Sequence, residues 1–187
     1  QRGAEQSMIE ASRDGKIVIR NRNVVQNSQN VPIVMARNCE ILLTDEKGVE
    51  KFRYRVPYGA RLLTTEGATV ARGQKLAEWD PYTLPIITEK AGKIEYLDLI
   101  DSITLVERMD EVTGLTSKVV VDYKQAGKGV DLRPRVQLKD ANGEVVKLDN
   151  GGEARYFLSP ETLLSIENGA EVNAGDVLAR LPREGSK

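Results

Sequence analysis

From Lys16 onward the apolar residues fall in short stretches rich in Val, Ile, Leu, Tyr and Thr, broken roughly every 8 to 12 residues by Gly, Asp-Pro or Asn-Gly. Short strands joined by tight turns produce that punctuation, which is the signature of sandwiches and barrels. The chain is therefore expected to be all-β, with short helices or none. Residues 1 to 12 have helical propensity, but their periodic pattern is too short to define a helix, so residues 1–15 read as a lead-in segment. Asp45-Glu46-Lys47-Gly48 and Asp140-Ala141-Asn142-Gly143 each link an alternating stretch to another strand, and their residues tolerate the left-handed backbone that hairpin turns require. Proline lacks the N–H that a central ladder needs, so Pro57, Pro81, Pro85, Pro134, Pro160 and Pro182 are expected at strand starts, edges or connections. The small, polar run Gln125 to Gly129 is the expected mobile loop.

Aligned with itself at an offset of 102 residues, the chain superimposes Glu66 to Ala77 on Asn168 to Ala179, with Tyr54 on Tyr156 and Leu62 on Leu164. At an offset of 95, Ile41, Leu43, Asp45 and Gly48 fall on Val136, Leu138, Asp140 and Gly143, so seven residues are added near Asp149 to Gly152. Both copies carry Gly-x-x-Val-x-x-Gly-x-x-Leu-Ala, placing Gly67, Val70, Gly73 and Leu76 on Gly169, Val172, Gly175 and Leu178. The glycines permit two tight turns and the aliphatics are buried on either side of them, a structural role rather than a phosphate cradle, since no helix pattern follows. Two copies of one β-unit are expected, the first over residues 16–112 and the second over 113–187, with the boundary near Met109 to Leu115 and strand exchange conceivable between them.

Composition narrows the chemistry. With 40% apolar and 29% charged residues the chain is an ordinary globular protein, and its longest apolar runs are far short of the roughly 20 residues a membrane helix needs. Lys and Arg number 27 against 28 Asp and Glu, which gives no general attraction to nucleic acid. Histidine is absent, which removes His-dependent nucleophile systems and imidazole acid–base chemistry, and the single Cys39 can form neither an internal disulfide nor, without other Cys or His, a structural zinc site. No catalytic, cofactor or metal residue is assigned.

Several residues invite a sharper reading. Lys51, Arg53 and Arg55 alternate with Phe52, Tyr54 and Val56, so a strand here would show a basic face opposite an apolar one and offer the first place to look for an acidic partner. Asp98 with Asp101, and Asp110 with Glu111, are the carboxylate pairs that acid–base chemistry could use, although turn roles are simpler. Trp79, the only tryptophan, is expected to anchor a core beside Asp80-Pro81.

Two resemblances follow from these motifs. The repeated glycine motif is similar to that of biotinyl and lipoyl carrier domains, and Glu89-Lys90-Ala91 is a partial match to their lysine element, which would make Lys90 the modified residue. A more specific set comprises Leu76 to Glu89, Asp110 to Val120, Asp131 to Pro134, Ala154-Arg155-Tyr156-Phe157-Leu158 and Gly175 to Glu184. Together these resemble the β′ subunit of bacterial RNA polymerase, in the sandwich-barrel hybrid insertion of its trigger loop, over roughly Val34 to Lys187. That resemblance implies a non-catalytic module that moves with the trigger loop and modulates pausing, nucleotide addition and transcript cleavage. It implies that the subunit's magnesium and zinc sites lie elsewhere, and that the partners are other regions of β′ and the β subunit, with weak contact to downstream DNA. It implies no membrane, no small-molecule substrate and a cytoplasmic location. The carrier domain with Lys90 modified is the alternative.

Overall fold

The computed structural model describes residues 7–109, 111–122 and 131–182. Those residues form eighteen strands and no helix, arranged in four sheets. The expected mobile loop, 125–129, and Asp110 lie outside the described residues.

The chain divides into two compact units, Gln1–Leu84 and Pro85–Lys187. The first contains β1 (Met8–Glu10), β2 (Gly15–Arg20), β3 (Val24–Gln26), β4 (Pro32–Val34), β5 (Cys39–Thr44), β6 (Glu50–Val56), β7 (Arg61–Leu62), β8 (Thr69–Val70) and β9 (Lys75–Glu78). They form one sheet in the order β1-β9-β7-β4-β3 and another in the order β6-β5-β2-β8. The second contains β10 (Thr83–Ile87), which straddles the division, β11 (Gly92–Leu97), β12 (Leu105–Met109), β13 (Thr116–Val120), β14 (Arg135–Lys139), β15 (Arg155–Phe157), β16 (Leu163–Leu164), β17 (Glu171–Val172) and β18 (Val177–Pro182). Their sheets run β10-β18-β16-β13-β12 and β15-β14-β11-β17. Adding nine to each strand number of the first unit reproduces both strand orders of the second, so the repeat extends over all nine strands.

The boundary therefore lies at Leu84/Pro85, earlier than the Met109–Leu115 expected from sequence. Met109 and residues 111–115 instead lie at the tip of the hairpin β12–β13, whose last pair before the turn is Met109 with Thr116. β11 pairs with β14 and β17, so residues 92–97 belong with the second copy rather than the first. The lead-in expected over residues 1–15 is replaced in its described part by β1, paired antiparallel with β9 through Ile9 and Ala77, and by the start of β2. No exchange of strands between the units occurs among the described pairings.

Each unit has its own core, drawn from equivalent positions because the strand pleat turns alternate residues inward. Ile17, Ile41, Leu43, Val70 and Leu76 are buried in the first core, as are Ile94, Val136, Leu138, Val172 and Leu178 in the second. Trp79 is only half-buried, packed against the first core rather than enclosed by it. Both expected hairpin turns are present. The Asp45 carboxylate accepts from the amides of Lys47 (2.9 Å) and Val49 (3.0 Å), and Asp140 accepts in the same way from Asn142 and Glu144. The seven added residues form a further turn, closed by the Leu148 amide donating to Gly152 O at 2.7 Å. Pro85 lies in edge strand β10 and Pro32 opens β4, where a missing N–H is tolerated.

Candidate functional site

The repeated motif works as a double clamp on the first strands of each unit. Gly67 N donates to Ile17 O and Gly73 N to Ala11 O, each at 2.8 Å. Gly169 N donates to Ile94 O and Gly175 N to Thr88 O at the same distances. All four glycines have φ between +83° and +89°, a backbone region that costs side-chain-bearing residues about 1 kcal/mol or more. Between the clamps Val70 and Val172 are buried, and Leu76 and Leu178 are fully so. The residue before the first glycine adds a third tie: Glu66 Oε1 accepts from Ile19 N at 2.7 Å, and Asn168 Oδ1 accepts from Tyr96 N at 2.9 Å. The four glycine amides and the Glu66 and Asn168 side-chain oxygens of the motif are thus spent on the fold.

These contacts reveal a match that the 95- and 102-residue offsets missed. At an offset of 77, Gly15-Lys16-Ile17 aligns with Gly92-Lys93-Ile94, and Gly15 pairs with Val70 as Gly92 pairs with Val172. Beside each glycine lies an open cleft. One of about 590 Å³ is lined by Arg13, Lys16, Asp45 and Thr69, and one of about 800 Å³ by Lys93, Lys139, Asp140 and Glu171. The same turn aspartate occurs in both, while the opposing Thr69 and Glu171 differ, so the two clefts share a shape imposed by the fold but not a common set of ligand-binding groups.

Lys51, Arg53 and Arg55 lie on β6, an edge strand, and all three are exposed. Their charge is largely compensated. Lys51 Nζ is 3.7 Å from Asp45, while Arg53 contacts Glu50 at 2.9 Å and Glu40 at 3.6 Å. Arg55 stands opposite Glu40 in the ladder and makes no ion pair among the described residues. The expected apolar face is graded: Val56 is buried and Tyr54 half-buried, whereas Phe52 is exposed and stacks on Tyr54 at 6.3 Å between ring centroids. The Tyr54 hydroxyl donates to Ser12 Oγ and accepts from Ser12 N, tying this edge to the start of the unit. Arg53 holds the Glu50 carboxyl below its usual range, and the Val49 amide does the same for Asp45.

Of the carboxylate pairs, Asp98 is engaged with a cation and backbone rather than with Asp101. Asp98 accepts from Arg133 N at 3.0 Å and pairs with Arg135 at 3.2 Å, fixing the approach to β14. Asp101 forms an isolated backbone β-bridge with Leu105, and the Asp110 partner of exposed Glu111 is outside the described residues. Among the described residues no three His, Cys, Asp or Glu side chains are grouped as a metal site would require. Cys39 is buried, and that burial pushes its thiol pKa up, away from the reactive thiolate. Lys90 lies in the short connection between β10 and β11, where its ammonium pairs with Asp149 at 2.6 Å and its amide donates to Thr88 Oγ1. A carrier lysine must be presented to a ligase, and this one is held against the surface of its own unit.

Comparison with known proteins supplies the affiliation that the geometry leaves open. No family model matches the chain. The DNA-directed RNA polymerase subunit beta' of Rickettsia felis is 54% identical over 183 residues, covering 98% of this chain. The chain belongs to the RNA polymerase subunit beta' family. The corresponding subunits of Rickettsia canadensis and Rickettsia typhi are 54% and 53% identical over the same length. In each case the chain spans only about 13% of the relative's length. The match extends over the strands before Val34, beyond the span of the motif resemblance. No helix among the described residues is long and apolar enough to cross a membrane.

Proposed function

We propose that this chain is a non-catalytic module of the polymerase β′ subunit, inserted in the trigger loop and moving with it. The observation that carries the reading is the joint one: near-complete coverage of the chain by the β′ relatives, on a duplicated β-body whose repeated motif ties its glycine amides to its own strands. A trigger loop alternates between open and folded states during nucleotide addition, so a compact mass attached to it changes the free energies of those states unequally. A bias of about 1.4 kcal/mol shifts such an equilibrium tenfold. Pausing, nucleotide addition and transcript cleavage would all respond, while the chemistry itself and its metal ions stay elsewhere in the subunit.

The proposed partners are other regions of β′ and the β subunit, in the cytoplasm of a bacterial cell. Contact with downstream DNA would be weak, because Asp45, Glu40 and Glu50 already neutralise much of the charge on Lys51 and Arg53, leaving Arg55 as the chief contributor. The carrier alternative rests on the partial Glu89-Lys90-Ala91 match alone, against an ion-paired Lys90 and relatives that are polymerase subunits.

Excising residues 1–187 from the intact polymerase tests the reading. The excised enzyme is expected to retain nucleotide addition, with pause lifetimes and transcript-cleavage rates altered several-fold, up to about tenfold. Unchanged pausing and cleavage would reject the modulatory role, and loss of all synthesis by a properly assembled enzyme would reject the non-catalytic one.

A further inference from the structure

The duplication provides an internal control for finding what one copy has and the other lacks. Val34 N donates to Ala60 O as Val120 N donates to Thr162 O, so these two residues are equivalent at an offset of 86, whereas Ile17 and Ile94 are equivalent at 77. Nine residues have therefore been added to the second copy between these points: four in the connection from β11 to β12, relative to β2–β3, and five within the hairpin β12–β13, relative to β3–β4. The growth lengthens both strands from three residues to five and carries the tip outward.

The two tips differ in chemistry as much as in length. In the first unit residues 27–31 read Asn-Ser-Gln-Asn-Val, and the Asn27 carboxamide oxygen accepts from the amides of Gln29 and Val31. That tip is polar and closed on itself. The second unit exposes Met109, Val112 and Leu115 at its tip, with 66%, 93% and 69% of each residue accessible. A single exposed aliphatic is ordinary, but three large ones at the end of a projecting ribbon form a patch of the kind that marks interaction sites. The hairpin carries its own means of presenting them: a five-pair register from Leu105–Val120 to Met109–Thr116, and Gly114 at φ +75° turning the chain.

Charge around the tip narrows the partner. The two cations of the hairpin are spent within the unit, Arg108 on Glu161 at 2.9 Å and Lys118 on Glu167 at 2.8 Å. Glu107 and Glu111 are exposed and make no ion pair among the described residues. An apolar tip with an acidic rim complements an apolar concavity edged by lysine or arginine, a pairing in which the rim sets orientation and the buried centre supplies affinity.

We propose that the β12–β13 tip is a docking element that seats Met109, Val112 and Leu115 in a basic-rimmed apolar concavity elsewhere on the polymerase. This rests on the reading of the chain as a β′ module, and the remainder of that large subunit, of which the relatives' matched part is about 13%, is the surface nearest to hand. A docked tip would hold the module in one position and release it when the trigger loop refolds.

The test uses intact, purified polymerase with photoreactive benzoylphenylalanine replacing Val112, and a matched enzyme with it replacing Ser28 at the polar tip. Crosslinks from position 112 are expected to exceed those from position 28 about tenfold and to map to apolar residues flanked by Lys or Arg outside residues 1–187. Met109→Ser/Leu115→Ser introduced beside the probe should reduce that crosslink to the level seen at position 28. Equal yields at the two positions, or crosslinks from 112 to nucleic acid, to a second polymerase or to this module itself, would overturn the docking proposal. Altered pausing in the excised enzyme alongside such a result would leave the modulatory reading standing and remove only the docking element.

Discussion

Truncating Leu76 or Leu178 to Ala is expected to cost about 3 to 4 kcal/mol in either case, confined to the unit that carries the change. Both side chains are fully buried, each following the second clamp glycine of its copy, where the chain enters β9 or β18. Removing three heavy atoms there forfeits their transfer free energy and leaves a cavity that two packed sheets cannot close. Hydrogen exchange read by mass spectrometry, peptide by peptide, separates the outcomes. Leu76→Ala should speed exchange across β2, β5 and β8, and Leu178→Ala across β11, β14 and β17. Equal acceleration throughout the chain after either change would contradict the assignment of one core to each unit.

Gly15→Ala is expected to destabilise by about 2 kcal/mol and Gly92→Ala by about half as much, although the two positions are equivalent. A Cβ on Gly15 would stand 2.6 Å from Thr44 O and 2.9 Å from Leu43 Cδ1, so backbone must shift. On Gly92 it would meet Leu138 Cβ at 3.0 Å and Lys139 O at 3.1 Å, contacts that a few tenths of an ångström relieve. Alanine's smaller unfolded-state entropy offsets part of either cost, more nearly cancelling it at Gly92. Urea unfolding followed by hydrogen exchange measures both. A greater loss for Gly92→Ala would show that the close approach of β2 to β5 has been misassigned.

The same pair of glycines explains what could and could not be read from sequence. In the later part of each copy, the Gly-x-x-Val-x-x-Gly-x-x-Leu-Ala spacing is dictated by two left-handed turns and two buried aliphatics, so the duplication was visible there. In the earlier part only Gly-Lys-Ile survives as a continuous match, because a strand requires apolar alternation rather than particular residues, and the second copy has four residues added before β12 and five within the hairpin β12–β13. Without that match, the sequence places the junction between units near Met109 to Leu115, where Gly114 at φ +75° instead turns a hairpin. The lead-in failed for a related reason: β1 has only three residues, and its pairing with β9 depends on a partner some 65 positions away that no local pattern announces.

For the candidate surface, alternation on β6 places Lys51, Arg53 and Arg55 at alternate positions of one strand, yet it cannot reveal Glu40 and Asp45 arriving from the neighbouring strand and turn to take up the charge of Lys51 and Arg53. A boundary near Met109 to Leu115 also hides the exposed tip of β12–β13, because it makes an inter-unit connection of what is an apex. The apolar character of Met109, Val112 and Leu115 within an otherwise polar turn was the available signal.

Motion with the trigger loop is the claim on which the functional account turns, and distance is its direct readout. Ser28→Cys would carry a donor dye at the exposed tip of the first unit, while buried Cys39 stays unlabelled, and an acceptor would sit on an immobile part of the polymerase. Single-molecule energy transfer is expected to show two populations whose ratio shifts when a cognate, non-incorporable nucleotide binds. A single population indifferent to that nucleotide would contradict the account.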